Sequence, residues 1–204
     1  MATIATIDRK SQPNEETLRD QERFREVWNG EDYMPPMPNN EHFLVQLKLA
    51  LAFSSAINLD AGDFASTGGN VSDRDRDWTQ NYRCPDALVV LRTGRAVDKS
   101  THWYGGPDIV VEVISSAEDP QIKLDFYESI GVREFVVIER DPWAVELLRL
   151  DAGRLVSVGR SDETNGAALD SAVLPVRYRV LPGTSPVRVE VSNLKTNQTW
   201  NIAG

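Results

Sequence analysis

The stretch PDIVVEVIS, residues 107–115, decides how the chain is read. Ile109, Val110, Val111, Val113 and Ile114 make a short β-branched apolar run, the composition of a strand buried in a sheet. Glu112 stands inside it. Side chains alternate across a strand, so Ile109, Val111 and Val113 share one face, and Asp108, Val110 and Glu112 share the other. The first face is uniformly aliphatic and is expected to be core. The second carries two acids and is expected to open toward a cation, because a lone buried carboxylate is costly. A structural ion pair between Glu112 and an arginine is the alternative reading.

Downstream, Asp119 and Pro120 suit the start of a helix, where proline loses no hydrogen bond. Ile122, Phe126 and Ile130 recur every four residues as its buried stripe, and Gly131 ends it. Lys123 and Tyr127 lie on the ridge beside that stripe, so the helix can carry Lys123 back over Glu112. An ordinary solvated lysine is the competing assignment. REFVVIE, residues 133–139, is the next strand, which makes residues 107–139 a strand–helix–strand crossover. Upstream, CPDALVVLR, residues 84–92, is another strand opening on an acid, Asp86. If the two strands are neighbours, Asp86 and Glu112 meet at one edge of the sheet, where a divalent cation would relieve their repulsion. Turn formation at a strand start is the plainer role for Asp86 and Asp108, each of which follows a proline.

Farther out, residues 15–30 read as a charged helix stopped by Gly30, and residues 41–57 as a second helix capped by Asn39 or Asn40. Most faces of the second helix are apolar, so deep packing is expected. Residues 92–106 read as a connecting loop, and residues 144–159 as a hairpin turning at Asp151–Gly153. PVRVEVSN and TWNIA close the chain as two strands. The class is α/β, a central mixed sheet flanked by helices, with a β-rich C-terminal extension. The expected organisation is a loose arm over 1–15, a domain over 16–182 and an extension of that domain over 183–204.

The 204 residues suffice for one substantial core. A net charge of −9 counts against a simple electrostatic binder of nucleic acid, and less against an enzyme whose carboxylates hold a metal. The single cysteine, Cys84, and the absence of a signal-like start or a spanning apolar stretch give a cytoplasmic, non-membrane expectation. STGGN lacks the spacing of a phosphate loop, DRDRD reads as a solvated loop, and Trp78, Tyr82, Trp103 and Tyr104 flank the acidic strands, where packing across a loop competes with base stacking.

PDIVVEVISS, then Asp119, Lys123 and Tyr127 at steps of four, then GVREFVVIE, together resemble the Uma2 family of restriction endonucleases, within the PD-(D/E)XK nuclease superfamily. CPDALVVL resembles that family's first Pro-Asp strand, YMPPMPNNEHF its entry into the first core helix, and LDSAVLPVRYRVL its closing segment. The likeness covers about residues 25–182. It implies a restriction-endonuclease-like fold and a Mg2+- or Mn2+-dependent phosphodiesterase acting on nucleic acid, DNA in the first place, as a homodimer. It implies catalytic roles for Asp86, Glu112 and Lys123, with Asp86, Glu112 and Asp108 as metal ligands and His42, Glu41 and Tyr127 at the periphery. The superfamily's usual lysine, two residues after the second acid, is replaced here by Ile114; Lys123 is the matching residue. A catalytically inactive nuclease-fold protein used for binding or assembly is the alternative.

Overall fold

The computed structural model describes residues 25–35, 37–114 and 121–203. In chain order the elements are β1 (Glu26–Trp28), β2 (Glu31–Tyr33), α1 (Asn40–Ser54), β3 (Phe64–Ser66), β4 (Val71–Ser72), β5 (Tyr82–Arg83), β6 (Ala87–Val90), β7 (Val97–Asp98), β8 (Trp103–Tyr104), β9 (Ile109–Ile114), α2 (Gln121–Ser129) and β10 (Glu134–Arg140). There follow β11 (Trp143–Asp151), β12 (Arg154–Asp162), β13 (Leu169–Asp170), β14 (Val176–Leu181), β15 (Arg188–Asn193) and β16 (Thr199–Asn201).

The PDIVVEVIS strand lies inside a six-stranded mixed sheet ordered β12-β11-β10-β9-β6-β3. β9 and β10 are parallel, with Glu112 opposite Val137, and α2 is the crossover between them. β6 runs antiparallel to β9, with Ala87 opposite Val111. The alternation of β9 divides two cores. Ile109, Val111 and Val113 pack with Val45, Leu49 and Phe53 of α1 and with Val189 and Val191 of a four-stranded sheet ordered β13-β14-β15-β16. Val110 and Ile114 pack with Leu124, Phe126 and Tyr127 of α2. Both faces are therefore covered, and Glu112 is 5% exposed. The open acidic face expected from the sequence is instead roofed by α2, because a parallel pair needs a crossover and the crossover helix must lie on the sheet. Gly106 permits this close seating: a Cβ there would lie 2.6 Å from Ile130 O and Val132 N, just past the end of α2.

α1 starts where Asn39 caps it, its side chain accepting from His42 N at 2.9 Å. One face carries buried Val45, Leu49, Ala52 and Phe53, while Phe43, Leu44, Leu47 and Leu51 are exposed. The helix is thus half-packed rather than deeply packed on all sides. The helix expected over 15–30 is replaced, over its described part, by the β1–β2 hairpin; its earlier residues, the arm over 1–15, and Asp119 and Pro120 lie outside the described residues. The segment 92–106 forms a β7–β8 hairpin rather than a plain loop. These strands join a second six-stranded sheet, β2-β1-β5-β4-β8-β7. Strands β15 and β16 of the C-terminal extension add in order to β14, so the extension shares a core with the rest. Among the described residues, no helix is long and apolar enough to cross a membrane.

Candidate active site

The site starts from an unfinished ladder. The β6–β9 pairing ends at Ala87 opposite Val111, with Asp86 N donating to Val111 O at 3.0 Å. The next β9 amide facing that way, Val113 N, has run past the strand, and it donates instead to Asp86 Oδ2 at 2.6 Å. A buried amide needs a partner, and the carboxylate supplies it. The other oxygen, Oδ1, faces His42 Nε2 at 2.7 Å and accepts from Gln46 Nε2 at 2.6 Å. His42 and Gln46 are four residues apart and thus neighbours on α1, which Asn39 starts at the right place to aim both at Asp86.

Glu112 points from the other face of β9 toward α2. Tyr127 Oη donates to its Oε1 at 2.6 Å, and Lys123 Nζ donates to Oε1 and Oε2 at 3.2 and 3.1 Å. The step of four along α2 places both donors over one carboxylate. Lys123 has a second and closer acceptor, Glu26 Oε1 of β1, at 2.8 Å. Glu26 is 1% exposed; its Oε1 also accepts from Cys84 N at 2.9 Å, and its Oε2 from Trp28 Nε1 at 2.7 Å.

Burial beside other acids sets the electrostatics. Burial first, and then the charges of Asp86 and Glu26, push the Glu112 carboxyl up to about 8, against the pull of Lys123. Burial works against the charge of Lys123, but Glu112 and Glu26 outweigh it and raise its pKa, so the side chain is held as an ammonium ion. Tyr127 is raised by burial and by Glu112, and stays a hydroxyl donor. A carboxylate buried beside two other acids is an arrangement that a divalent cation with hard oxygen ligands would relieve. The donor set of Asp86 and Glu112 fits such an ion. Among the described residues, no group of three or more His, Cys, Asp or Glu side chains is arranged to hold a metal by itself, so such an ion would retain water or other oxygen ligands.

Of the residues singled out from the sequence, the fold gathers Asp86, Glu112, Lys123, Tyr127 and His42 at one end of the sheet. Asp108 is not brought there. It sits at the opposite end of β9, where Oδ2 accepts from Leu91 N at 2.8 Å and Oδ1 from Arg133 at 2.9 Å. Alternation put it on the face of Glu112, but four residues of strand separate the two by about 13 Å. Glu41 is on the surface, paired with Arg140 at 3.2 Å. Of the aromatics, Trp78 stacks on His102 and Trp103 packs against Phe64, the packing role, while Tyr104 is exposed. Glu26 was missed. Its signal was Asn29–Gly30 between EVW and EDY: both residues have positive φ, 52° and 89°, as a tight hairpin turn requires. Reading Gly30 as a helix stop concealed the strand that carries Glu26.

A family model described as Uma2, "Putative restriction endonuclease", matches residues 14–178. The fold is similar to that of a crystal structure described as a "putative nuclease belonging to DUF820 from Anabaena variabilis ATCC 29413", with a TM-score of 0.56 and 16% sequence identity over 72% of this chain and 80% of that one. No curated protein matches the chain.

Proposed function

Because the chain belongs to the Uma2 family of putative restriction endonucleases, we propose that it is a metal-dependent endonuclease that hydrolyses phosphodiester bonds in nucleic acid, DNA in the first place. What supports this reading is that Asp86 and Glu112 stand at the same end of adjacent strands, near enough for the charge of Asp86 to raise the Glu112 carboxyl, with the Lys123 ammonium on Glu112. Asp86 and Glu112 would hold Mg2+ or Mn2+. When bound, the ion supplies Lewis acidity toward a phosphoryl oxygen and lowers the pKa of a coordinated water. His42, Gln46 and Val113 N fix the Asp86 carboxylate, so its direction does not depend on a ligand. Tyr127 does the same for Glu112. Lys123 presents a positive charge, held in place, toward the charge that develops on a phosphoryl group under attack.

The test is cleavage of plasmid and linear DNA, and of RNA, by the purified chain with Mg2+ or Mn2+. Wild-type protein cuts only with the metal, and Glu112→Gln, folded to the same extent, loses at least about 1,000-fold in rate, as removal of a metal-holding and charge-stabilising group should. Absence of cutting across these substrates and both metals overturns the reading. The net charge of −9 favours a second reading, a protein of the same fold that binds or assembles without cutting. Metal binding measured by calorimetry, with no cleavage, would select it.

A further inference from the structure

We propose that Glu26 is the positioning residue for Lys123, holding the ammonium in place when Glu112 is taken by a cation. This rests on the nuclease reading for its purpose, although not for its geometry. Lys123 bridges two acids, and the two contacts are unequal: 2.8 Å to Glu26 against 3.1 Å to Glu112. A lysine whose sole anchor was Glu112 would be displaced by any cation binding there, since the two positive charges would compete for the same oxygens. The second anchor removes that conflict.

The geometry of Glu26 suits an anchor. Both of its carboxylate oxygens are engaged, Oε1 by Lys123 and the Cys84 amide, Oε2 by the Trp28 indole. Trp28 is itself fixed. Its ring stacks on Tyr33 with centroids 4.0 Å apart, and the Arg83 guanidinium lies 4.4 Å from its centre. That guanidinium also lies 4.3 Å from the centre of Phe126, which belongs to α2, the helix that carries Lys123. Arg83 is 5% exposed and donates to Val27 O and Asn81 Oδ1. The stack of Tyr33, Trp28, Arg83 and Phe126 therefore fastens the β1–β2 hairpin to α2, and so fixes the distance from Glu26 to Lys123. Such a long reach in sequence, 97 residues, is one a merely local ion pair would not need.

The experiment observes the ammonium directly. The full chain carries five lysines, Lys10, Lys48, Lys99, Lys123 and Lys195, so 15N-lysine labelling gives few NH3+ resonances, and loss of one in Lys123→Arg assigns it. In wild-type protein the Lys123 resonance persists, protected from solvent exchange, both without metal and with saturating Mg2+. In Glu26→Gln it persists without metal and broadens into exchange with Mg2+. Trp28→Phe, which removes one donor to Glu26 and keeps the charge, gives the same order at smaller amplitude, and it decides the matter if Glu26→Gln does not fold. In parallel, kcat falls by about 10- to 100-fold in Glu26→Gln, the range for partners of site residues, measured at saturating Mg2+, while KM for DNA is unchanged. A Lys123 resonance in the variants as protected with Mg2+ as in wild type overturns the proposal. If wild-type protein cuts nothing, the nuclease reading falls, and the resonances alone decide what Glu26 holds.

Discussion

The antiparallel pair β6–β9 has two ends, and each is closed by the same dipeptide in the same way. At one end Asp86 follows Pro85, its amide donates to Val111 O, and its Oδ2 accepts from Val113 N at 2.6 Å. At the other, Asp108 follows Pro107, its amide donates to Val89 O, and its Oδ2 accepts from Leu91 N at 2.8 Å. Each carboxylate satisfies the first amide beyond the ladder, a structural task that accounts for both aspartates without reference to function. The ends diverge at the remaining oxygen. Asp108 Oδ1 receives the guanidinium of Arg133, and nearby Glu134 receives that of Arg149, one cation for each acid. Asp86 Oδ1 receives an imidazole and a carboxamide, while its neighbours Glu112 and Glu26 share the ammonium of Lys123. The lesson is that an acid in a strand does not mark a site; an acid left short of positive charge does.

The contrast is tested most severely by matched substitutions. Asp86→Asn keeps an oxygen for Val113 N but removes the charge, and its expected effect is a loss of at least about 1,000-fold in metal-dependent cleavage. Asp108→Asn, the same change at the other end, leaves kcat and the Mg2+ requirement within about threefold of wild type, since it touches nothing at the site. Comparable losses in both variants, with circular dichroism unchanged, would break the contrast. The next effect is on stability. Asp108→Ala leaves Leu91 N without its buried partner and Arg133 without its carboxylate, at a cost of about 2 kcal/mol, or ~4–8 °C in Tm for a chain of this size. Activity per folded molecule at 20 °C stays at the wild-type level. A Tm within 1 °C of wild type would mean that water takes over the Leu91 amide.

The sequence carried much of this, for physical reasons that can be named. The β9 strand, its crossover and the β10 strand were legible because β-branched runs and a four-residue helical stripe each have one periodic reading. The placing of Asp86 and Glu112 at one end of the sheet followed from the adjacency of two strands, and Lys123 reaching Glu112 from the step back along a crossover helix. Burial direction was harder. Alternation places Asp108 and Glu112 on one face, yet it does not say how far apart their partners lie, and Asp108 was read as a ligand when it closes the opposite end. The apolar run of α1 looked like deep packing, although Phe43, Leu44, Leu47 and Leu51 face outward. A helix records how apolar its faces are, and not which of them finds a neighbour. Glu26 was lost to local charge: EETLRDQERFREVWNG is rich in helix formers, and the Asn29–Gly30 turn was outvoted by them. Its partner Lys123 lies 97 residues away, beyond any periodic signal.

A last effect sharpens the idea of a charge deficit, and it needs no substrate. With the folded Glu112 carboxyl near 8, against 4.5 as its ordinary value, folded and unfolded chains bind protons differently between those two pH values. Below about 4.5 both states hold the proton, and burial of Glu112 carries no ionisation penalty. Between 4.5 and 8 the unfolded chain has released it and the folded chain has not, so this group makes the protein less stable as pH rises. Above about 8 both have released it, and the penalty stays constant. Glu112→Gln cannot ionise and lacks this slope. The gap in stability between variant and wild type, measured as Tm without divalent metal at pH 5 and pH 8, is therefore expected to move in the variant's favour as pH rises. Saturating Mg2+ at pH 8 closes the Glu112 gap, because a cation on the carboxylate relieves the repulsion that the proton relieves in its absence. Parallel curves for Glu112→Gln and wild type would mean that Lys123 alone balances the cluster, and the two ends of the ladder would then be electrostatically alike.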